Sequence, residues 1–209
     1  TINNTSPNVC GAGSQYEDFT SISTTVIKSS TYTLSVTGNT CGNFTNNIRA
    51  YIDWNIDGDF LDAGESFNIG TITNSTGIDA IQALGSINVP LDALLGTTKL
   101  RVVKKYNTAP SSCEAAGFGQ AEDYLVNVIC PTIAAPNVTG ATACSGNTLN
   151  LSASGAIIGS TLTWYDAAVA GTIINTGLTF TTPTLTSTTS YWVEESIPCC
   201  AQSTLAEVI

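Results

Sequence analysis

The stretch Ile48–Phe67, IRAYIDWNIDGDFLDAGESF, decides how this chain is read. Its first seven residues alternate, with Ile48, Ala50, Ile52 and Trp54 on one face. A period of two marks a half-buried strand. The strand then runs into five carboxylates and one asparagine, all between Asp53 and Glu65. The fold and the chemistry of the chain meet at this point.

The same alternation recurs elsewhere. TYTLSVTG places Tyr32, Leu34 and Val36 on one face, and TTKLRVVKKY and EDYLVNVI follow suit. Between these segments lie Gly, Asn, Asp and Pro, the residues of turns. Lys, Arg and Glu are few and Met is absent, so strong helix formers are scarce. Only PLDALLG reads as a short helical turn, with Gly96 ending it. CPTIAAPNVTG (Cys130–Gly140) reads as a connector, after which the chain is almost uncharged. TLNLSASG, TLTWYDA, GTIINTG, LTFTTPTL, TSYWVEE and STLAEVI then follow as short strands at close spacing. The expected architecture is all-β, two β-sandwich domains in tandem over 1–129 and 130–209, the second Ig-like.

Composition excludes several functions. The net charge is -10 with six basic residues, which does not suit phosphate binding, so no nucleic acid is expected as a partner. The cluster Lys99, Arg101, Lys104 and Lys105 reads as a solvated strand face or as partners for nearby carboxylates. The absence of histidine removes Ser-His-Asp and Cys-His catalysis and the usual catalytic zinc sites. No apolar run approaches the roughly 18 residues of a membrane helix, so no membrane insertion is expected. Thr1 is not an initiator and STLAEVI reads as a strand that should continue. A fragment of a longer secreted protein is therefore expected.

The seven cysteines are Cys10, Cys41, Cys113, Cys130, Cys144, Cys199 and Cys200, with no CxxC pair. They read as disulfides of an oxidising compartment with one thiol left over. Cys10, Cys41 and Cys113 allow three pairings. In the second domain a cross-link from Cys144 to Cys199 or Cys200 is expected, leaving the other vicinal cysteine to reach Cys130. The order Cys144, Trp164, Cys199 suggests an immunoglobulin-like core. Tyr191 is not two residues before a cysteine, so an antibody-type domain is not expected.

In the opening stretch, Asp53, Asn55, Asp57 and Asp59 occupy positions 1, 3, 5 and 7 of a calcium loop, with Gly58 at position 6. Two features depart from an EF-hand. A strand precedes the loop, and Gly64 stands at position 12 with Glu65 one residue later. Asp62 offers a further oxygen. Carboxylates this close repel unless a cation neutralises them. The expected ligands of calcium are therefore Asp53, Asn55, Asp57, Asp59, Asp62 and Glu65. The competing reading is a solvated turn in which Asn and Asp cap their own backbone. Glu122 with Asp123, and Glu17 with Asp18, are further acidic spots that fold contacts would bring to the loop or leave on the surface.

YEDFT, IRAYIDWNIDGDFLDAGESF, VPLDALLGTTKLRVVKKY, a lone Cys113 and GFGQAEDYLVNV, in that order, resemble the GEVED domain of secreted bacterial proteins, especially of Bacteroidetes. The resemblance covers about residues 10 to 129. The signature Gly-Glu-Val-Glu-Asp-Tyr is met by Gly119-Gln120-Ala121-Glu122-Asp123-Tyr124, which departs from it at Gln120 and Ala121. From Cys130 onward the chain resembles the Ig-like modules that follow in such surface proteins. The resemblance implies a secreted or cell-surface setting, type 9 secretion and a gliding or biofilm-forming bacterium, and it does not imply catalysis. The function expected is a non-catalytic segment of an adhesin or filament, stabilised by calcium and disulfides, with neighbouring modules of the same polypeptide as partners. The alternative is a carbohydrate-binding accessory module of a secreted hydrolase, meeting surface glycans or polysaccharide. Trp54, Trp164 and Trp192 with Tyr51, Tyr165 and Tyr191 would supply its stacking platforms, although Trp54 and Trp164 read better as core.

Overall fold

A computed structural model describes residues 1–6, 10, 15–113 and 118–209 of the chain. Two compact units result, Thr1–Ile129 and Cys130–Ile209. Among the described residues there is no helix, and thus none long and apolar enough to cross a membrane.

The first unit holds β1 (Tyr16–Ile27), β2 (Thr31–Val36), β3 (Thr45–Ile52), β4 (Ser66–Thr73), β5 (Ala83–Asn88), β6 (Gly96–Tyr106) and β7 (Gly119–Ile129). Five strands form one sheet in the order β1-β7-β6-β3-β4, while β2 and β5 pair separately. The core lies between these two sheets. Ile48, Ala50 and Ile52 of β3 meet Ile69 and Ile72 of β4, and Tyr32, Leu34 and Val36 of β2 pack onto them. At Gly85 the sheets approach so closely that an added Cβ would lie 2.7 Å from the Ile69 Cα.

Three strands were not legible. β1 pairs parallel with β7, and its register shifts between Asp18 and Ser23. That irregularity puts Phe19, Ile22 and Val26 on one core at helix-like spacing and hides the period of two. Its companions β4 and β5 carry Gly70 and Gly85, which dilute their alternation. PLDALLG is a single turn rather than a helical one. Ala93 N donates to Pro90 O at 3.4 Å, and the next amide, Leu94 N, donates to Trp54 O at 2.8 Å instead of continuing a helix. Gly96 ends no helix but opens β6 at φ 117°.

The second unit holds β8 (Asn137–Thr139), β9 (Asn150–Ser154), β10 (Thr161–Tyr165), β11 (Ile173–Thr176), β12 (Thr179–Thr181), β13 (Tyr191–Ser196) and β14 (Ala206–Val208). One sheet runs β11-β10-β13-β14 and the other β12-β9-β8. Between them Trp164 is fully buried, with Leu151, Leu162, Phe180, Tyr191 and Val193 around it. No disulfide crosses this core.

The disulfides are Cys10–Cys41 and Cys130–Cys200, and Cys113, Cys144 and Cys199 are exposed thiols. The expected cross-link from Cys144 to Cys199 or Cys200 does not form. Cys144 and Tyr191 line the same cleft, at the start of β13, whereas Cys199 and Cys200 follow its other end. Six residues of strand carry the chain roughly 16 Å. A disulfide needs its Cα atoms within about 7 Å.

Candidate metal centre

The loop leaves the sheet where β3 ends and returns at β4. Its neck is closed by Ile52 N donating to Glu65 O at 2.9 Å. Two carboxylates are buried there. Asp53 is 6% exposed, and its carboxylate accepts Asp57 N at 3.2 Å and Gly58 N at 3.1 Å. Glu65 is 1% exposed, and its Oε1 accepts Trp54 N at 2.7 Å. Glu65 Oε2 is buried and has no hydrogen-bond partner. Burial raises the pKa of Glu65, and the charge of Asp53 adds to that against the Trp54 N–H.

The tip turns outward. Ile56 sits at φ 55° and Gly58 at φ 95°, and for a β-branched residue such as Ile56 that region is a genuine outlier. The turn gathers Asp57, Asp59 and Asp62, all exposed, with one oxygen of each within 4.8 Å of the others. Asn55 Nδ2 donates to Asp57 Oδ2 at 2.9 Å and to Asp62 Oδ2 at 2.6 Å. Asp57 also accepts Asp59 N at 3.1 Å, and that N–H, with the Asn55 amide, holds its carboxyl below the usual range. Leu61 N donates to Asp59 Oδ1 at 2.8 Å. The turn-capping bonds of the competing reading are thus present, and they leave the outer faces of three like charges together.

Phe60 folds the loop back onto the sheet. It packs on Tyr51 and Val103, on the face opposite the main core. The Arg101 guanidinium lies 5.6 Å from its ring. Arg101 in turn binds Asp123, Nε to Oδ1 at 2.7 Å and Nη2 to Oδ2 at 2.8 Å. Tyr16 Oη donates to Asp123 Oδ2 at 3.0 Å, and Lys99 Nζ lies 3.4 Å from it. Burial pushes the Asp123 carboxyl up, but the Arg101 bonds and charge, with Tyr16 and Lys99, outweigh it and hold the group below the usual range.

The acidic spots therefore part company. Asp53, Asn55, Asp57, Asp59, Asp62 and Glu65 share one loop. Asp123 is committed to Arg101, and Glu122 accepts Tyr124 Oη at 2.6 Å. Asp18 caps Thr20 N at 2.9 Å. The basic strand face is in part a set of carboxylate partners, as its alternation with Leu100 and Val102 allowed.

Residues 47–127 match the family model of the GEVED domain. Residues 131–209 match that of the Ig-like domain, CHU_C associated. The chain is a GEVED domain followed by an Ig-like domain. The GEVED match begins within β3, so it spans the carboxylate loop and the signature strand β7. Both are typically non-catalytic modules. No curated protein matches the chain. Solved structures similar to it include the N-terminal four Ig domains of Dscam1 isoform 9.44, at 14% identity, 95% of this chain, 44% of that chain and TM-score 0.38. Isoform 6.9 gives 14%, 90%, 43% and 0.37. Domains 3 and 4 of rat CD4 give 11%, 87%, 97% and 0.25. The chain spans less than half the length of these Dscam1 structures, and at such scores the likeness decides nothing further.

Of the aromatic residues considered as platforms, Tyr51, Trp54, Trp164 and Tyr191 are buried, and Tyr165 and Trp192 are half-buried. Trp54 and Trp164 fill the cores.

Proposed function

We propose that the chain is a non-catalytic segment of a secreted bacterial surface protein, an adhesin or filament, whose GEVED loop binds one structural calcium ion. The observation that carries the calcium reading is the convergence of Asp57, Asp59 and Asp62 above a neck formed by buried Asp53 and Glu65. Three exposed carboxylates held together repel, and a divalent cation relieves that repulsion. Calcium takes six to eight oxygens at flexible geometry, which suits carboxylates, backbone carbonyls and water on one loop. The Asn55 amide now places its N–H donors between Asp57 and Asp62; turned over, it offers Oδ1 to an ion.

Such an ion binds only the folded loop and so stabilises it by mass action. The two disulfides suit an oxidising, extracellular setting. With no histidine in the chain, its residues offer no common nucleophile–base pair. Thermal melts with calcium and with EDTA test the reading. Calcium at about 100 times its Kd should add about 2.7 kcal/mol to the first unit. Identical melts in both conditions reduce the loop to a turn.

A further inference from the structure

Three cysteines of the Ig-like unit lie together just beyond β13. Cys130, the first residue of the unit, is bonded to Cys200, and Cys199 stands beside Cys200 as an exposed thiol. The Cα atoms of Cys130 and Cys200 are 5.7 Å apart. Cys130 Sγ also lies 3.8 Å from the carbonyl oxygen of Cys199. A disulfide sulfur carries no proton, so this contact is packing and not a hydrogen bond. Backbone bond lengths then place the Cys199 Cα within about 6.5 Å of that sulfur. Cys144, by contrast, lies near the other end of β13.

The chain around Cys199 is an exposed turn. Pro198 and Cys199 both face solvent, and Cys200 N donates to Ile197 O at 3.3 Å. Cys199 sits at φ 60°, a left-handed conformation uncommon for a residue with a side chain. Residues held in such conformations cluster where a structure changes state. A free thiol thus stands on a strained turn, next to a disulfide whose far sulfur packs on its own backbone.

We propose that Cys199 and Cys200 exchange the bond to Cys130. The Cys199 thiolate attacks Cys130 Sγ, the Cys130–Cys200 bond breaks, and Cys200 leaves as a thiolate that takes up the proton Cys199 gave. One S–S bond forms as one breaks, so no oxidant or reductant enters. Attack on Cys200 Sγ instead would link neighbours whose Cα atoms are about 3.8 Å apart, short of the roughly 4.4 Å a disulfide needs. Chain entropy does not choose between the two linkages, because each closes a loop of nearly the same length, set by the separation of 70. Exchange changes what the surface offers. Cys199 is exposed when free, whereas Cys200 is half-buried where it stands. The unit therefore shows or shelters a reactive thiol while its number of disulfides stays constant. The calcium loop lies in the other unit and takes no part.

The full chain carrying Cys113→Ser and Cys144→Ser keeps a single free thiol. It is held folded and dilute at mildly alkaline pH, then unfolded in mild acid with excess N-ethylmaleimide, where thiolate is scarce and exchange stops. Peptic digestion and fragmentation between residues 199 and 200 show which cysteine carries the label. Label divided between Cys199 and Cys200 is expected, and label confined to Cys199 overturns the proposal. In the same background, Cys200→Ser made under oxidising conditions should leave no free thiol, because Cys130 bonds Cys199. Two free thiols in that variant, on Cys130 and Cys199, also overturn it. The labelling of the chain that keeps Cys200 decides the matter even if Cys200→Ser does not fold.

Discussion

Replacing Asp123 by Asn tests what the acidic signature of the first unit does. The carboxylate is fully buried and takes two bonds from Arg101, at 2.7 and 2.8 Å, and one from Tyr16, at 3.0 Å. Lys99 is 44% exposed, so its contact adds little. Removing one partner of a buried ion pair costs about 3–5 kcal/mol, because the other charge stays behind. The Arg101 side chain keeps 19% of its surface and Asn keeps an acceptor, so the lower end applies, about 3 kcal/mol. For a unit of this size that lowers the Tm by roughly 10 °C, read by calorimetry on the first transition. The pH dependence has a fixed sign. The folded-state pKa of Asp123 is depressed, so its stabilisation is present above the ordinary aspartate range and is lost as pH falls through the lowered folded value. The gap between wild type and variant should therefore close in acid. The reasoning is refuted by a Tm shift under about 2 °C, or by a loss that disappears in EDTA, which would make Asp123 a calcium ligand instead.

Gly85→Ala should cost about 3 kcal/mol, read as a lower urea midpoint, since its Cβ would sit 2.7 Å from Ile69 Cα and 3.1 Å from Asn68 O. The double change of Cys130 and Cys200 to Ser removes a link of sequence separation 70 and should destabilise the second unit by about 4 kcal/mol. Reductant should reproduce that loss in the wild type and do nothing further to the variant. Gln120 faces Lys104 across β6 and β7, and burial lowers the lysine's pKa. Gln120→Glu restores the signature carboxylate opposite it; it should raise the Lys104 pKa seen by NMR and stabilise by no more than about 1 kcal/mol.

The strands that read clearly are those whose core faces carry β-branched or large residues at every second position, such as Ile48–Trp54 in β3 and Leu100 and Val102 in β6. β1 escaped because a register shift breaks its period, and β5 because Gly85, needed for the close approach to Ile69, leaves a gap in its pattern. The carboxylate loop was legible because its acidic residues are neighbours in sequence. Glu65 looked misplaced at position 13, yet from there it reaches back to Trp54 N and closes the neck. The partnership of Asp123 with Arg101 depends on the register of β6 against β7 and on Tyr16 arriving from β1, which spacing alone does not supply. A vicinal cysteine does reach Cys130, as Cys200, but the link to Cys144 failed for the same reason, since Cys199 and Cys200 lie past one end of β13 and Cys144 near the other, and three thiols rather than one are left over.

Isothermal titration of the full chain with calcium tests the central claim most directly. One site per chain is predicted, with binding lost when Asp57 and Asp62 are both replaced by Asn while the fold, followed by circular dichroism, is kept. A chain that shows no calcium binding at any concentration, or that binds it equally well after those two substitutions, contradicts the account.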